Sequence, residues 1–406
     1  MRITASLLAG TMLSALLVTP AFAQAGPVET AAPNAPDQTP AFEGQSRASQ
    51  PEVLADVSTE VVAEGLPHLW AMEFLPDGRM LVTAKSGVLH IVTPEGEASE
   101  PISGLPEVDL VGQGGLLDVA LAPDFESTGR IYVSYAEPRE DGNGTAVAAA
   151  TLVLDENGGG SLEDVEVIFR QEPTYDGELH FGSRIVPTED GNLYITVGER
   201  SDEPIRDQAQ ELASGLGKVF RIDPEGEALP DNPFIDNDDA LPEIWSLGHR
   251  NVQSATLDGE GRLWTVEHGA KGGDELNRPQ PGLNYGWPDV AYGVNYDGST
   301  IGEGITANAE TEQPLYYWDP VIAPSGMAYY DADLIPEWQG AFIVGGLVSQ
   351  GLVVLHMDGD RVAFEERVPL EARVRDVRVG PDGAVYAVTE NPRAGSSTIV
   401  RVAPEQ

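Results

Sequence analysis

The chain has 406 residues, a formal net charge of −43 and no cysteine. Without cysteine it cannot form a disulfide, a thiolate nucleophile or a cysteine-ligated metal site. So large an acidic excess argues against a partner such as nucleic acid or anionic lipid, because both would repel the protein.

The predicted elements begin with a secretory signal peptide over residues 1–23. This segment combines Arg2, an apolar stretch at 7–18 and a small-x-small cleavage site at 21–23. The apolar stretch is too short to span a bilayer, so we expect a periplasmic or secreted protein rather than membrane insertion. Residues 24–50 are rich in Ala, Pro, Gln, Glu and Thr, which predicts a flexible tether.

Residues 51–406 are built from a unit that recurs six times. In each unit a β-rich run leads to a turn carrying Asp or Gly, and a second alternating run follows. This repeat favours an all-β fold, a six-bladed β-propeller of four-stranded antiparallel blades, over a sandwich or a parallel barrel. The paired runs are 70–74 and 80–84, 116–121 and 130–135, 179–184 and 192–199, 252–257 and 263–266, 326–330 and 341–344, and 374–379 and 385–388.

The third unit places a histidine and an acid at the same end of a predicted β-hairpin. Turn-forming residues 188–191 separate its arms, so His180 and Glu199 come within a residue or two of cross-strand register. A carboxylate can fix the tautomer of an imidazole and stabilise the imidazolium formed when it takes a proton. The pair is therefore a candidate general base. The alternative is a histidine packed at a strand end beside an unrelated surface glutamate.

Propeller geometry also predicts which residues meet at the central channel. The innermost strands of all blades begin on one face, so residues just before each unit's first run should converge there. Arginines at these positions could grip a large anion with their guanidinium forks, or could pair with local acids such as Asp376. The converging residues are Gln113, His180, Arg250, Asn251, Arg373 and Arg375, and the run 267–270 (EHGA) ends at the same face.

Six longer motifs carry a family resemblance. They are 112–119 (GQGGLLDV), 180–184 (HFGSR), 215–218 (GLGK), 248–251 (GHRN), 267–275 (EHGAKGGDE) and 284–288 (NYGWP). In this order they resemble the soluble quinoprotein sugar dehydrogenases of the glucose/sorbosone dehydrogenase family, particularly the bacterial periplasmic aldose sugar dehydrogenases. The resemblance covers about residues 53–401. It implies a six-bladed propeller that uses pyrroloquinoline quinone (PQQ) and calcium to oxidise the anomeric carbon of an aldose to the lactone.

The resemblance also implies roles for the residues around the reacting sugar. His180 would take the proton of the anomeric hydroxyl while hydride passes to the quinone, and Glu199 would orient His180. Gln113 would contact the reacting hydroxyl. Arg250 and Asn251 would hydrogen-bond the quinone oxygens and stabilise the negative charge that develops there.

A second group of implied roles concerns the cofactor's carboxylates and the metal. Arg373 and Arg375 would bind the PQQ carboxylates. The backbone carbonyls of Gly269 and Ala270 would ligate calcium, a hard cation that prefers oxygen ligands. Asp274 and Tyr285 would support this metal loop.

The sequence departs from the family pattern in two places. Some relatives carry a lysine beside the cofactor in the fifth blade, but residues 345–350 contain none and Lys271 is the last lysine of the chain. Cofactor binding would then depend more on the arginines. Ala270 stands where relatives often have proline, which keeps a carbonyl ligand but gives a less rigid loop.

Other interpretations of these patterns remain open. The acidic runs 236–239 and 296–298 would suit a second calcium site or solvated loops, and Trp287 could stack on a sugar or form a structural corner. A propeller with calcium in its channel could instead be a lactonase or phosphoester hydrolase in which the metal activates water. A non-catalytic sugar-binding propeller is a further alternative. The dehydrogenase would need an aldose and an electron acceptor, which the sequence does not identify.

Overall fold

The structure, a computed structural model, describes residues 26–155 and 158–405. The predicted signal peptide lies outside the described residues. The regular elements of the described chain are strands with almost no helix, and the strands form six antiparallel sheets arranged as a six-bladed propeller, which confirms the predicted fold class. Within this part of the chain no helix is long and apolar enough to cross a membrane.

Blades one to three follow one another in chain order. Blade one contains β2 (Leu69–Phe74), β3 (Met80–Ala84) and β4 (Val88–Val92). Blade two contains β5 (Leu116–Leu121), β6 (Arg130–Arg139), β7 (Gly142–Leu154) and β8 (Gly160–Arg170). Blade three contains β9 (Ile185–Pro187), β10 (Leu193–Val197), β11 (Lys218–Ile222) and β12 (Ile244–Leu247).

Blades four to six complete the ring. Blade four contains β13 (Val252–Leu257), β14 (Leu263–Glu267), β15 (Asp274–Asn277) and β16 (Tyr316–Trp318). Blade five contains β17 (Pro324–Tyr329), β18 (Phe342–Gly346), β19 (Gly351–Asp358) and β20 (Arg361–Pro369). Blade six contains β21 (Arg373–Val379), β22 (Val385–Asn391), β23 (Ser396–Pro404) and β1 (Val57–Pro67). Short helical turns are α1 (Phe125–Thr128) and two 3₁₀ segments, Ile205–Gln210 and Pro336–Trp338.

The ring is closed by the N-terminal strand. β1 pairs antiparallel with β23, so one blade joins both ends of the domain. Blade one has three strands rather than the predicted four. Residues 98–102 take the fourth position through a bridge from Val92 to Ala98 and a hydrogen bond from Ile102 N to Leu89 O.

The hydrophobic core lies between neighbouring blades. Each strand buries alternate residues against the next sheet, as a period of two requires. Leu81 and Ile91 of blade one, for example, pack in one cluster with Val119 and Val133 of blade two. The packed blades fix the positions of the innermost strands, and therefore the positions of the loops at their starts.

The innermost strands are irregular where they begin, on the face that we call the upper face. Five of them show a register shift in their first residues, at 69–71, 116–119, 252–254, 324–327 and 374–376. Such bulges bend a strand and re-aim its side chains. The irregularity therefore falls in each case on residues beside the channel mouth.

In blade three the irregular segment replaces the start of the strand. Residues 179–184 were expected to form one arm of the hairpin, but the arm begins only at Ile185. The expectation of a strand here is wrong because His180, Gly182 and Ser183 have φ angles of 51°, 65° and 88°. These left-handed conformations cannot continue a β-strand. They turn the chain so that His180 and Glu199 still meet.

Residues 26–50 pack against the propeller and do not form the expected free tether. The carboxylate of Asp319 accepts hydrogen bonds from Asn34 N and Ala35 N at 2.6 and 3.0 Å. Gln45 is fully buried and donates to Pro314 O at 2.9 Å. The composition suggested disorder because apolar residues are few, but buried hydrogen bonds of this kind attach the segment to the propeller.

Candidate functional site

A cavity of about 340 Å³ lies at the upper face and is lined largely by polar residues. Its wall takes residues from all six blades, because each innermost strand begins there. Four of the residues predicted to converge line this cavity. They are Gln113, Asn251, Arg373 and Arg375.

His180 and Glu199 form a tight buried pair beside the cavity. His180 Nδ1 lies 2.6 Å from Glu199 Oε2, and neither side chain is more than 7% exposed. Glu199 Oε2 also accepts a hydrogen bond from Ser201 N at 3.0 Å. Phe181 and Gly182, the residues after His180, line the cavity itself. The predicted contact between the histidine and the acid is thus present in the structure.

The electrostatics of the pair favour a neutral imidazole beside an ionised carboxylate. Burial lowers the pKa of His180 below its usual value, and this effect exceeds the opposing charge of Glu199. Burial alone would raise the pKa of Glu199, but His180, Arg250 and the Ser201 amide hold that pKa below its usual value. With Nδ1 donating to the carboxylate, Nε2 is the ring atom that can accept a proton.

Gln113 is attached to the backbone of the same histidine. Its side-chain Oε1 accepts a hydrogen bond from His180 N at 3.0 Å, and its backbone N–H donates to Glu178 O at 2.7 Å. The amide nitrogen of the side chain is then the group that Gln113 can offer to a ligand. The loop before β5 and the irregular segment before β9 are fixed to each other by these bonds.

Arg250 and Asn251 are buried at the start of blade four. Arg250 Nη1 donates to His268 O at 3.1 Å, and the guanidinium lies 5.0 Å from the centre of the Trp287 ring. Arg250 Nε is buried and, among the described residues, has no hydrogen-bond partner. Asn251 Oδ1 accepts from Gly182 N at 3.2 Å, which ties blade four to the histidine segment.

Arg373 and Arg375 converge on a glutamate that sequence reasoning missed. Their Nε atoms lie 2.7 and 3.1 Å from the two carboxylate oxygens of Glu390, which also bonds His68 Nε2 at 3.0 Å. Burial would raise the pKa of Glu390, but His68 and both arginines hold it well below its usual range. The arginines thus pair with a local acid, as the alternative interpretation expected, but that acid is Glu390 and not Asp376, whose carboxylate bonds Met72 N, Arg184 and Arg378.

Asp376 belongs to a buried ion network that joins blades two, three and six. Arg184 lies 2.7 Å from Asp118 and 3.2 Å from Asp376, and its guanidinium covers the ring of Trp70 at 4.7 Å. Arg378 lies 3.2 Å from Asp376 and 3.6 Å from Asp118. These charges are paired with one another across three blades, and the network lies against Trp70, which lines the cavity.

The proposed metal loop carries backbone oxygens rather than acidic side chains. Gly269 N donates to Asp274 Oδ1 at 2.8 Å, and Asp274 Oδ2 accepts from Ile322 N and Ala323 N. Asp274 therefore supports the loop and orients it. No hydrogen bond of standard geometry from a described residue reaches the carbonyl oxygen of Gly269 or Ala270. These oxygens can accept a cation.

Tyr285 lines the small cavity next to this loop, together with Gly269, Ala270 and Glu275. Its hydroxyl donates to Arg278 O at 2.6 Å and is thus turned away from the loop. Among the described residues, no group of three or more His, Cys, Asp or Glu side chains could hold a metal ion. The exposed acidic runs 236–239 and 296–298 accordingly form no such group.

Lys85 is a further cavity residue that sequence reasoning missed. It follows β3 directly and lines the cavity together with Arg373 and Arg375. The directions of the strands could have predicted it, because β2 runs away from the upper face and β3 returns to it. A residue just after β3 must therefore lie at the channel mouth, as His268 does just after β14.

Comparison with known proteins decides the family. A model of the family described as Glucose / Sorbosone dehydrogenase matches residues 66–400. The chain belongs to this family. Its fold, its motifs and the polar cavity at its upper face agree with that membership.

Individual relatives of the family match over most of the chain. The aldose sugar dehydrogenase YliI of Escherichia coli K12 is 42% identical over 356 residues, which is 86% of this chain and 94% of the relative. The solved apo-form of the soluble E. coli aldose sugar dehydrogenase is similar with a TM-score of 0.80 and 40% identity, covering 86% of this chain and all of that one. The PQQ-bound aldose sugar dehydrogenase of Streptomyces coelicolor has a TM-score of 0.69 and 29% identity, covering 86% and 99%.

Proposed function

We propose that the protein is a PQQ-dependent aldose sugar dehydrogenase that oxidises the anomeric carbon of an aldose to the lactone. One observation carries the proposal: a buried histidine, held 2.6 Å from a buried carboxylate, adjoins a cavity lined by arginines. The aldose sugar dehydrogenases among the relatives support it.

The residues of the cavity fit this cofactor. PQQ is a planar quinone with three carboxylates, and guanidinium groups such as those of Arg373 and Arg375 bind carboxylates well. Arg250, whose buried Nε has no partner among the described residues, and Asn251 are suited to quinone oxygens. The cavity volume, about 340 Å³, lies in the range of small-ligand pockets. When bound, PQQ supplies the electrophilic carbonyl that accepts hydride.

The chain's own residues provide the proton chemistry. His180 Nε2 takes the proton of the anomeric hydroxyl, and Glu199 stabilises the imidazolium that results. Gln113 positions the reacting hydroxyl through its side-chain amide. The buried ion network of Arg184, Asp118 and Asp376 fixes the inner strands of three blades relative to one another, and so the positions of the residues that begin them.

Calcium and location complete the proposal. The carbonyl oxygens of Gly269 and Ala270 would hold calcium, which prefers hard oxygen ligands, and Asp274 would keep their loop in place. Residues 1–23 would direct export to the periplasm. Electrons would then pass to an external acceptor.

The test is reconstitution of the purified protein with PQQ and calcium, followed by dye reduction with a panel of aldoses. The matched control is the corresponding 1-deoxy sugar, which lacks the anomeric hydroxyl. We expect dye reduction that requires PQQ and an aldose, with the lactone as product. Absence of dye reduction with every aldose, or hydrolysis of added lactones without any redox activity, would refute the proposal.

A further inference from the structure

The cavity contains a cation outside the arginine pair. Lys85 lines the cavity from blade one, while Arg373 and Arg375 line it from blade six. Blades five and one both flank blade six in the ring. A lysine in blade one can therefore reach the region beside these arginines from the side opposite to residues 345–350, which carry no lysine.

The arginine pair by itself carries little net charge. Arg373 and Arg375 share the carboxylate of Glu390, so the three groups together hold a single positive charge. Lys85 doubles that charge. A ligand with three carboxylates requires such a surplus, because unpaired anions in a partly buried site are costly.

The donors of Lys85 are also suitably placed. Its Nζ donates to Gly112 O at 3.0 Å, and an ammonium group has further N–H groups to offer a ligand. Burial, followed by the charge of Arg375, lowers the pKa of Lys85. Lys85 is thus within the electrostatic field of Arg375, and an anion bound between them would relieve the repulsion.

We propose that Lys85 binds a carboxylate of the cofactor together with Arg373 and Arg375, and supplies from blade one the cation that the fifth blade lacks. This assignment rests on the proposed function. Lys85 also holds Gly112, the neighbour of Gln113, so it couples the carboxylate site to the loop that contacts the sugar.

The test is an equilibrium titration with PQQ in excess calcium and without sugar. Binding is measured by the quenching of tryptophan fluorescence, since Trp70 lines the cavity. We expect Lys85→Gln to weaken PQQ binding about tenfold, as loss of one charged hydrogen bond implies. Lys85→Arg should stay within about threefold of wild type because it keeps the cation. Added salt should weaken PQQ binding less in Lys85→Gln than in wild type.

The matched control is Arg79→Gln, which removes a positive charge from the same blade. Arg79 lies in the turn between β2 and β3, at the lower face, where it pairs with Asp77. The PQQ affinity of the Arg79→Gln variant should equal that of wild type. Equal weakening in Arg79→Gln and Lys85→Gln would overturn the assignment, because net charge alone would then be responsible.

Further outcomes separate this inference from the proposed function. If wild type does not bind PQQ, the proposed function fails. If wild type binds PQQ and Lys85→Gln binds it equally well, only the assignment of Lys85 fails. A raised KM for the aldose with unchanged PQQ affinity would place Lys85 on the sugar and would also overturn it. Lys85→Met provides a second neutral variant if Lys85→Gln does not fold.

Discussion

At the scale of single residues, the hydrogen bond between His180 Nδ1 and Glu199 Oε2 decides which atom of the imidazole can react. Burial lowers the pKa of the imidazole and so favours its neutral form. The Glu199 carboxylate, whose pKa is also lowered, is ionised and can stabilise the charged form. The same division between a proton-accepting nitrogen and a carboxylate-bound nitrogen occurs in other buried histidine–acid pairs. Two consequences can be measured on this pair and on the arginines beside it.

The first prediction concerns the pH dependence of kcat/KM. The base must be neutral, so the rate falls when His180 is protonated in the free enzyme. Because burial lowers the pKa of His180, we expect the acid limb below about pH 6.5, the ordinary value for histidine. Glu199→Gln removes the charge that opposes this shift and should move the limb to still lower pH. An acid limb above pH 6.5 would contradict the account.

The second prediction concerns Arg375. Arg375→Ala should weaken PQQ binding by roughly one to two powers of ten, because a charge-assisted hydrogen bond is lost. The rate at saturating PQQ should remain close to that of wild type. The fold should survive, since Glu390 keeps its bonds to Arg373 and His68. A variant that unfolds, with unchanged affinity in the folded fraction, would make Arg375 a structural residue only.

At the scale of elements, the bulges at the starts of the innermost strands place the site. A regular strand would send Arg373 and Arg375 to one face and Val374 and Asp376 to the other. The register shift at 374–376 leaves Arg375 without a partner residue on β22, yet both arginines still meet Glu390, and Asp376 joins the buried ion network with Arg378. The left-handed residues before β9 likewise turn the chain so that His180 lies beside Glu199.

The N-terminal segment is the element with the clearest energetic test. Gln45→Ala should lower the free energy of unfolding by about 1 to 3 kcal/mol, because Gln45 is fully buried and bonds Pro314 O and Ala41 N. Chemical denaturation measures this difference. Glu43→Ala, at an exposed position in the same segment, is the control and should leave stability nearly unchanged. Equal free energies of unfolding for the two variants would mean that the buried hydrogen bonds of Gln45 do not stabilise the fold.

Sequence patterns predicted most of the elements but not their irregular ends. Turn residues such as Asp77 and Gly78 sit between clear alternating runs, and the hairpin from β2 to β3 appears as expected. Bulges leave no comparable signal, because they depend on how a strand packs against both neighbouring blades. Glu390 was missed for a different reason: the predicted run ended at residue 388, whereas β22 continues to Asn391 and pairs Glu390 with Arg373.

At the scale of the whole molecule, the propeller assembles one site from residues that are far apart in sequence. His180, Arg250 and Arg375 come from three blades and are brought to one face by the common direction of the innermost strands. Calcium and PQQ would bind at neighbouring positions on this face. The metal loop is connected to the start of blade four through Arg250, which donates to His268 O directly before Gly269.

This arrangement predicts that calcium and PQQ bind cooperatively. The proposed calcium ligands are two carbonyls, which leave coordination positions for the cofactor itself, so each should raise the affinity of the other by the same factor. Titration of PQQ at fixed free calcium concentrations measures this coupling. A PQQ affinity that does not change when calcium is removed by a chelator would disprove it.

The central claim is that His180 removes a proton while hydride leaves the anomeric carbon. The most direct measurement is an anaerobic single turnover of the PQQ-loaded protein with an aldose deuterated at C1. The change in the cofactor spectrum reports the rate of reduction. We predict slower reduction with the deuterated sugar, and reduction about two to four powers of ten slower in His180→Gln with PQQ affinity nearly unchanged. Reduction at the same rate in wild type and His180→Gln would contradict the account.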